Sequence, residues 1–370
     1  MTDPANGTCL EVELGVELED FPLEAAFSAC QELVVLFGPS GAGKTTILRA
    51  LAGLVTPQSG RIVLNGRVLF DAASGVNLPP QARRVGYVPQ QYGLFPHMTI
   101  AENIAYGLPA RSRAERHQQA ARWIELMQLA EQAQRRPSEV SGGQQQRAAL
   151  ARAMASKPEL LLMDEPFAAL DQELRSHLRR EIRSLAGTFQ LPILVVTHDP
   201  QEAYSLADSM LVYSRGRQLQ AGSRESIFTK PATPALGRLL GMTNVFPAQV
   251  LRSDSSGITL SWLGHKIHLP AAPGVKAGPV QVGLRPDQIG LGTIPNEPSD
   301  LLMLAARLVE IAPAGFDRML RFDVSDTSRT VLIDVRTSGP AGLDPDPIRD
   351  EPHLLRIDPA SIHIFPGAAL

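Results

Sequence analysis

Residues 38–46 read GPSGAGKTT, directly after a solid apolar run, Leu33–Phe37, and directly before a helical pattern, Lys44–Leu54. G-x-x-x-x-G-K-[ST] between a strand and a helix is the spacing of a phosphate-binding loop. Gly38, Gly41 and Gly43 let the backbone turn tightly and aim successive N–H groups inward. Pro39, Ser40, Ala42 and Thr46 complete the loop. Those donors and the positive end of the helix would hold β- and γ-phosphates. Lys44 adds a point charge, and the Thr45 hydroxyl would ligate Mg²⁺. An incidental lysine in a Gly-rich turn would need neither the strand before it nor the helix after it.

Such a loop requires a second metal partner. LLLMDEP at 160–166 supplies an apolar strand ending in Asp164, which would hold Mg²⁺ through water. Glu165 follows at once, where a carboxylate can polarise a water attacking in line with the γ-phosphate. Alone, an apolar run ending in Asp-Glu is usually a strand entering a loop; the phosphate loop upstream changes its meaning. His198 ends a further apolar run, Ile193–Val196, where a lone histidine is more often structural. Ser141, Gly142, Gly143 and Gln144 open a helical stretch running toward Met154, which is either an anion site or an ordinary helix cap.

The elements that must position these residues alternate in type. Val12, Leu14, Val16 and Leu18 alternate with polar residues as a half-buried strand. Strands are predicted at Leu33–Phe37, Val85–Val88, Leu160–Met163 and Ile193–Val196, and helices at Lys44–Leu54, Ala114–Gln134 and Gln172–Leu185. Thr99-x-x-Glu102 has capping-box spacing and should open a short helix. Asp199-Pro200 should open another. This is an α/β pattern. Beyond about residue 243 the prolines are denser, 14 of 30 lying in residues 244–370, about half the length of the first part. Short β-branched runs there, including Gly257–Trp262, Lys266–Leu269, Val280–Leu284, Leu304–Glu310, Met319–Val324, Thr330–Val335 and Leu354–Phe365, predict a small antiparallel β-barrel.

Composition sets outer limits. The chain has 370 residues, a formal charge of −3 and 44% hydrophobic residues. The near-neutral charge argues against a nucleic-acid partner held by phosphate neutralisation. No apolar run approaches the roughly 18 residues of a membrane span, and no secretory signal is visible, so a cytoplasmic protein is expected. Cys9 and Cys30 are expected to be small buried thiols in a reducing compartment.

Further segments fall into order with these. Tyr87-Val88-Pro89-Gln90 precedes Leu94-Phe95-Pro96; VSGGQQQ spans 140–146; Ala169-Leu170-Asp171 follows the Asp-Glu pair; Val196-Thr197-His198-Asp199 ends the next strand. The ordered set, over about residues 8–232, resembles the ABC-transporter ATPase family. The resemblance implies an α/β P-loop NTPase domain with a helical subdomain, an ATPase that takes ATP and Mg²⁺. It implies a head-to-tail homodimer in which Ser141, Gly142, Gly143 and Gln144 of one chain face the γ-phosphate held by the other. His198 would contact that phosphate, Gln90 would sense Mg²⁺ and the attacking water, and Asp171 would cross the dimer interface. The pattern departs from the family at Val140, Pro89 and Ala168. The aromatic that stacks on adenine is also displaced: its usual window holds Gly15 and Val16, leaving Phe21 as nearest candidate and Phe27 as another, either of which could instead be strand core.

Residues 244–370, after a linker at 233–243, resemble the small OB-like barrel (TOBE type) of importer ATPases, through VGLRPDQI at 282–289. This implies a peripheral subunit on the cytoplasmic face of the inner membrane, working with permease subunits and, indirectly, a solute-binding protein. Within importers, LPP-x-x-RR and FPLEAAF look most like molybdate importers, with sulfate or thiosulfate, iron(III) and polyamine importers as alternatives. A soluble ABC ATPase outside transport is the rival class. Arg285 is read as either a structural partner or part of a regulatory anion site.

Overall fold

The computed structural model describes residues 9–108, 112–168, 172–292, 301–314, 317–324, 331–338 and 352–365. The chain divides into two compact units, Met1–Ile227 and Phe228–Leu370.

The first unit contains two sheets. One is antiparallel, in the order β2 (Pro22–Cys30), β1 (Cys9–Glu17), β4 (Ser59–Leu64), β5 (Arg67–Asp71) and β6 (Val76–Asn77). The other has the order β11 (Arg217–Ser223), β10 (Ser209–Ser214), β3 (Leu33–Phe37), β9 (Ile193–Thr197), β8 (Leu160–Asp164) and β7 (Val85–Val88). From β10 to β7 its strands are parallel. Strands β3, β8 and β9 are buried at every position, as expected for parallel strands covered on both faces. In β1, by contrast, Leu10, Val12, Leu14 and Val16 face inward while the residues between them do not. These four share one core with Leu36, Val196 and Leu162 of the parallel sheet and with Ile47, Leu48 and Leu51 of α1 (Lys44–Ala52).

Helices α2 (Ile100–Tyr106), α3 (Arg113–Leu126), α4 (Gly142–Ala155), α5 (Gln172–Phe189), α6 (Pro200–Leu206) and α7 (Arg224–Thr229) fill the connections. Thr99 and Glu102 do form a reciprocal capping box at α2. The expected helix 114–134 is shorter than its pattern. It stops at Leu126, because Gln128 takes a left-handed φ of 53°, and one 3₁₀ turn follows at Ala130–Gln132. Met127 and Leu129 are buried at this break, so the apolar residues that extended the helical pattern pack from a turn.

The cysteines also correct the sequence reading. Cys9 and Cys30 stand directly opposite each other in β1 and β2 and are joined by a disulfide. Cys30 is exposed. They are neither free nor buried thiols.

In the second unit α8 (Pro234–Leu239) precedes two antiparallel five-stranded sheets. The first has the order β14 (His265–Leu269), β13 (Gly257–Trp262), β12 (Asn244–Asp254), β15 (Gly278–Leu284) and β21 (His363–Phe365). The second has the order β16 (Ile289–Gly292), β20 (Pro352–Ile357), β17 (Leu302–Ala314), β18 (Asp317–Asp323) and β19 (Leu332–Thr337). Both contribute to a single core around Leu260, Val282, Leu304, Phe322 and Leu355. Among the described residues the pairing is two antiparallel sheets on one core, consistent with the small all-β domain expected from the sequence. The 354–365 run divides between them. Pro359 has no N–H to offer a ladder, and Asp358 accepts from Ala360 N at 2.9 Å, so the chain turns there and changes sheets.

Candidate nucleotide site

Parallel strands place their C-terminal ends on one edge, where ligands of open α/β sheets bind. Four adjacent strands bring the singled-out residues to that edge. β3 leads into the phosphate loop, β7 into Gln90, β8 ends in Asp164 followed by Glu165, and β9 leads into His198.

In the phosphate loop, Gly38 has φ 152° and a Cβ there would meet Tyr213 O at 2.1 Å; Gly41 and Gly43 have φ 78° and 98°. Only glycine fits this path. Lys44 is buried at 4% exposure, and its Nζ donates to Gly38 O at 2.9 Å and Pro39 O at 2.8 Å. Burial pushes the ammonium pKa down, opposed by the charges of Glu165 and Asp164. Thr45 Oγ1 donates to Asp164 Oδ1 at 2.9 Å. Asp164 is buried, which raises its carboxyl pKa; the Thr45 bond pulls it back. The hydroxyl and carboxylate thus meet across two elements 119 residues apart. Two protein oxygens beside a phosphate loop suit Mg²⁺, which keeps several waters and takes substrate phosphate oxygens.

Glu165 adopts a left-handed φ of 44°, uncommon for a residue with a side chain, while its N–H donates to Val196 O at 3.0 Å. Its carboxylate is held from both sides. Gln90 Nε2 donates to Oε2 at 2.9 Å, and His198 Nδ1 lies 2.9 Å from Oε1. The glutamate side chain is 18% exposed and the histidine 54%. This cluster can orient a water and accept its proton.

The other predicted residues lie as follows. Ser141 is the N-cap of α4: its hydroxyl accepts from Gln144 N at 3.4 Å, and Gln144 Oε1 accepts from Ser141 N at 2.9 Å. Gly142 and Gly143 are the first two residues of that helix. Phe21 is half-buried in the turn joining β1 and β2, its ring against Gly216, whose N–H donates to Ala42 O of the phosphate loop at 3.1 Å. Phe27 instead packs on the core of the sheets. Asp171 lies outside the described residues.

Two residues, Asn103 and Arg152, shape this region without having stood out in the sequence, and a third, Arg83, stood out only as part of LPP-x-x-RR. Asn103, wholly buried in α2, accepts from Phe95 N at 2.7 Å and donates to Phe95 O, Met98 O and Thr99 O. Arg152 of α4 donates to Gly93 O at 2.8 Å and Tyr92 O at 3.3 Å and lies over the Phe95 ring. Together they pin the loop after Gln90. Arg83, at 0% exposure, donates to Ala50 O, Leu51 O and Leu78 O and to Asn77 Oδ1, closing the C-terminal end of α1. Its neighbour Arg84 pairs with Glu159 at 2.8 Å. The arginine pair of LPP-x-x-RR, read as a mark of molybdate importers, is here committed to the fold. Arg285 likewise donates to Leu240 O and Phe228 O.

Residues 28–168 match the family described as ABC transporter. The sulfate/thiosulfate import ATP-binding protein CysA of Acinetobacter baylyi is 40% identical over 291 residues, 77% of this chain and 78% of that protein. This chain belongs to the ABC-transporter ATP-binding proteins. It is an ATP-binding ATPase. The Fe(3+) ions import ATP-binding protein FbpC of Brucella abortus is 40% identical over 261 residues, 70% of this chain and 72% of that one. The spermidine/putrescine import ATP-binding protein PotA of Ruegeria pomeroyi is 37% identical over 306 residues, 82% and 81% of the two chains. A solved dimeric ATP-binding cassette, MJ0796 bound to ADP and Pi, is similar over 59% of this chain and 99% of that chain, at 26% identity and TM-score 0.49.

Proposed function

We propose that this ATPase powers uptake of a small oxyanion through a permease at the cytoplasmic face of the inner membrane. The observation that carries the catalytic part is the Gln90–Glu165–His198 cluster, assembled beside Lys44, Thr45 and Asp164 on one sheet edge.

In this reading the loop 38–46 and Lys44 hold the β- and γ-phosphates of ATP, and Phe21 supports the base. Thr45 and Asp164 hold Mg²⁺, with Gln90 nearby; the ion neutralises phosphate charge when bound. Glu165 accepts the proton of the attacking water, while Gln90 and His198 fix its carboxylate and His198 also meets the γ-phosphate. Ser141, Gly142, Gly143 and Gln144 serve the nucleotide of a second copy, so two chains close head-to-tail around two ATP, with Asp171 at their interface. ATP is then a ligand of the closed form, and hydrolysis releases it.

Among the described residues no helix is long and apolar enough to cross a membrane, so a separate permease supplies the path. The loop pinned by Asn103 and Arg152 presents Phe95 against Tyr106, which is 64% exposed, and this aromatic surface suits a short permease helix. The second unit acts as a TOBE-type extension. A solute-binding protein outside the membrane selects the solute. Sulfate and molybdate are both tetrahedral dianions. The relation to CysA and the FPLEAAF resemblance support that class, with molybdate and sulfate as its two members to compare.

The test is tracer uptake by cells that carry this chain and its permease, against cells with Lys44→Ala. ATP-dependent uptake of molybdate or sulfate supports the reading. Uptake of iron(III) or spermidine instead would overturn the solute class, and recovery of ribosomes or DNA in place of a permease would overturn transport.

A further inference from the structure

His198 stands in a two-residue turn, with β9 ending at Thr197 and α6 starting at Pro200. Its imidazole is more than half exposed, so packing does not fix its position. The turn is fixed from beneath. Thr197 is 2% exposed and pairs in register with Phe37, the last residue before the phosphate loop. Its Oγ1 donates to Glu202 Oε2 at 2.5 Å and accepts from Asp199 N at 3.1 Å. Asp199 Oδ1 accepts from Gln201 N at 2.7 Å and Glu202 N at 3.1 Å. Glu202 is itself only 7% exposed. The two residues flanking His198 are therefore tied to each other and to Glu202, Thr197 through its buried carboxylate and Asp199 through its backbone N–H.

We infer that Glu202 is a positioning residue for hydrolysis, acting through Thr197 to hold His198 against Glu165. A buried carboxylate is expensive to keep for stability alone, and this one spends its short hydrogen bond on the residue beside His198. Burial pushes its carboxyl pKa up, opposed first by the Thr197 bond and also by Arg175 and Arg179, while Asp199 adds to the rise. Losing the Thr197–Glu202 bond would free the turn, and a displacement near 1 Å at a reacting group costs up to about 100-fold in rate.

The inference rests on the proposed role of His198, and a double-mutant cycle separates the two. Steady-state ATP hydrolysis is measured for Glu202→Ala, Glu202→Gln, Thr197→Val, His198→Ala and the pair Glu202→Ala/His198→Ala. Glu202→Ala should lower kcat roughly 10–100-fold with KM for ATP within about 3-fold, because the interaction serves the transition state. Glu202→Gln keeps an acceptor for Thr197 and should restore most of the rate. Thr197→Val cuts the same bond from the other end and covers the case in which Glu202→Ala does not fold. Once His198 is alanine, adding Glu202→Ala should cost less than about 2-fold. If the losses multiply instead, Glu202 does not act through His198 and the inference falls alone. If His198→Ala hydrolyses ATP at the parent rate, the role of His198 falls and takes the inference with it.

Discussion

Replacing Arg83 with methionine removes the charge while keeping most of the apolar stem. In the parent, the guanidinium is fully buried and serves three backbone carbonyls and one amide oxygen, two of the carbonyls being in the last turn of α1. Burial lowers its pKa from the usual arginine value. A hydrogen bond from a charged donor contributes about 1.5–3 kcal/mol, and a buried acceptor left alone costs about 1–3 kcal/mol. The four bonds are not additive, since Ala50 O also accepts from Gly53 N, and we expect a loss of about 3–5 kcal/mol. Arg84 is an internal control: its partner Glu159 is 2.8 Å away, but the arginine side chain is 68% exposed. Arg84→Ala should therefore cost less than about 1 kcal/mol. Thermal unfolding followed by calorimetry should show the transition of the first unit lowered by roughly 6–20 °C in Arg83→Met and barely moved in Arg84→Ala. Equal, small shifts in the two variants would refute the assignment of Arg83 as the closure of α1.

Asn103→Ala should destabilise the first unit by about 2–4 kcal/mol and make the 95–99 turn an early site of limited proteolysis, since four bonds to that turn are lost. Asp164→Asn should abolish metal-dependent nucleotide binding yet raise the melting temperature of the nucleotide-free protein at pH 7. The folded carboxyl pKa is raised, chiefly by burial, so the native state binds more protons than the unfolded one between the ordinary and raised values. Stability is lost as pH rises through that window, and the advantage of asparagine should vanish below it. Reducing the Cys9–Cys30 disulfide, which joins residues 21 apart, should cost about 3 kcal/mol, and Cys9→Ser/Cys30→Ser should remove the response of the melting temperature to reductant.

The legible parts of this chain were those written locally. Continuous apolar runs marked the buried parallel strands, and Leu33–Phe37, Val85–Val88 and Gly257–Trp262 match to the residue. Caps at Thr99, Ser141 and Asp199 were visible because a cap and its partner lie within three residues. Motif order named the family. What remained hidden depends on residues far apart in sequence. Arg83 reaches Ala50, Arg152 reaches Gly93, and Cys9 meets Cys30 only once β1 and β2 are in register. Nor does LPP-x-x-RR, which carried only a resemblance, reveal that its first arginine reaches Ala50 and its second pairs with Glu159. The 354–365 run looked continuous because inward-facing residues of both sheets are apolar; only the Asp358-Pro359 pair marks the crossing.

The proposed role of Glu165, held by Gln90 and His198, is proton acceptor of an ATP site completed by a second chain. Its most direct measurement is phosphate release by Glu165→Gln, read alongside its mass in solution with ATP. The variant should bind ATP, release no phosphate above background and accumulate as a dimer. Hydrolysis at the parent rate would contradict that role.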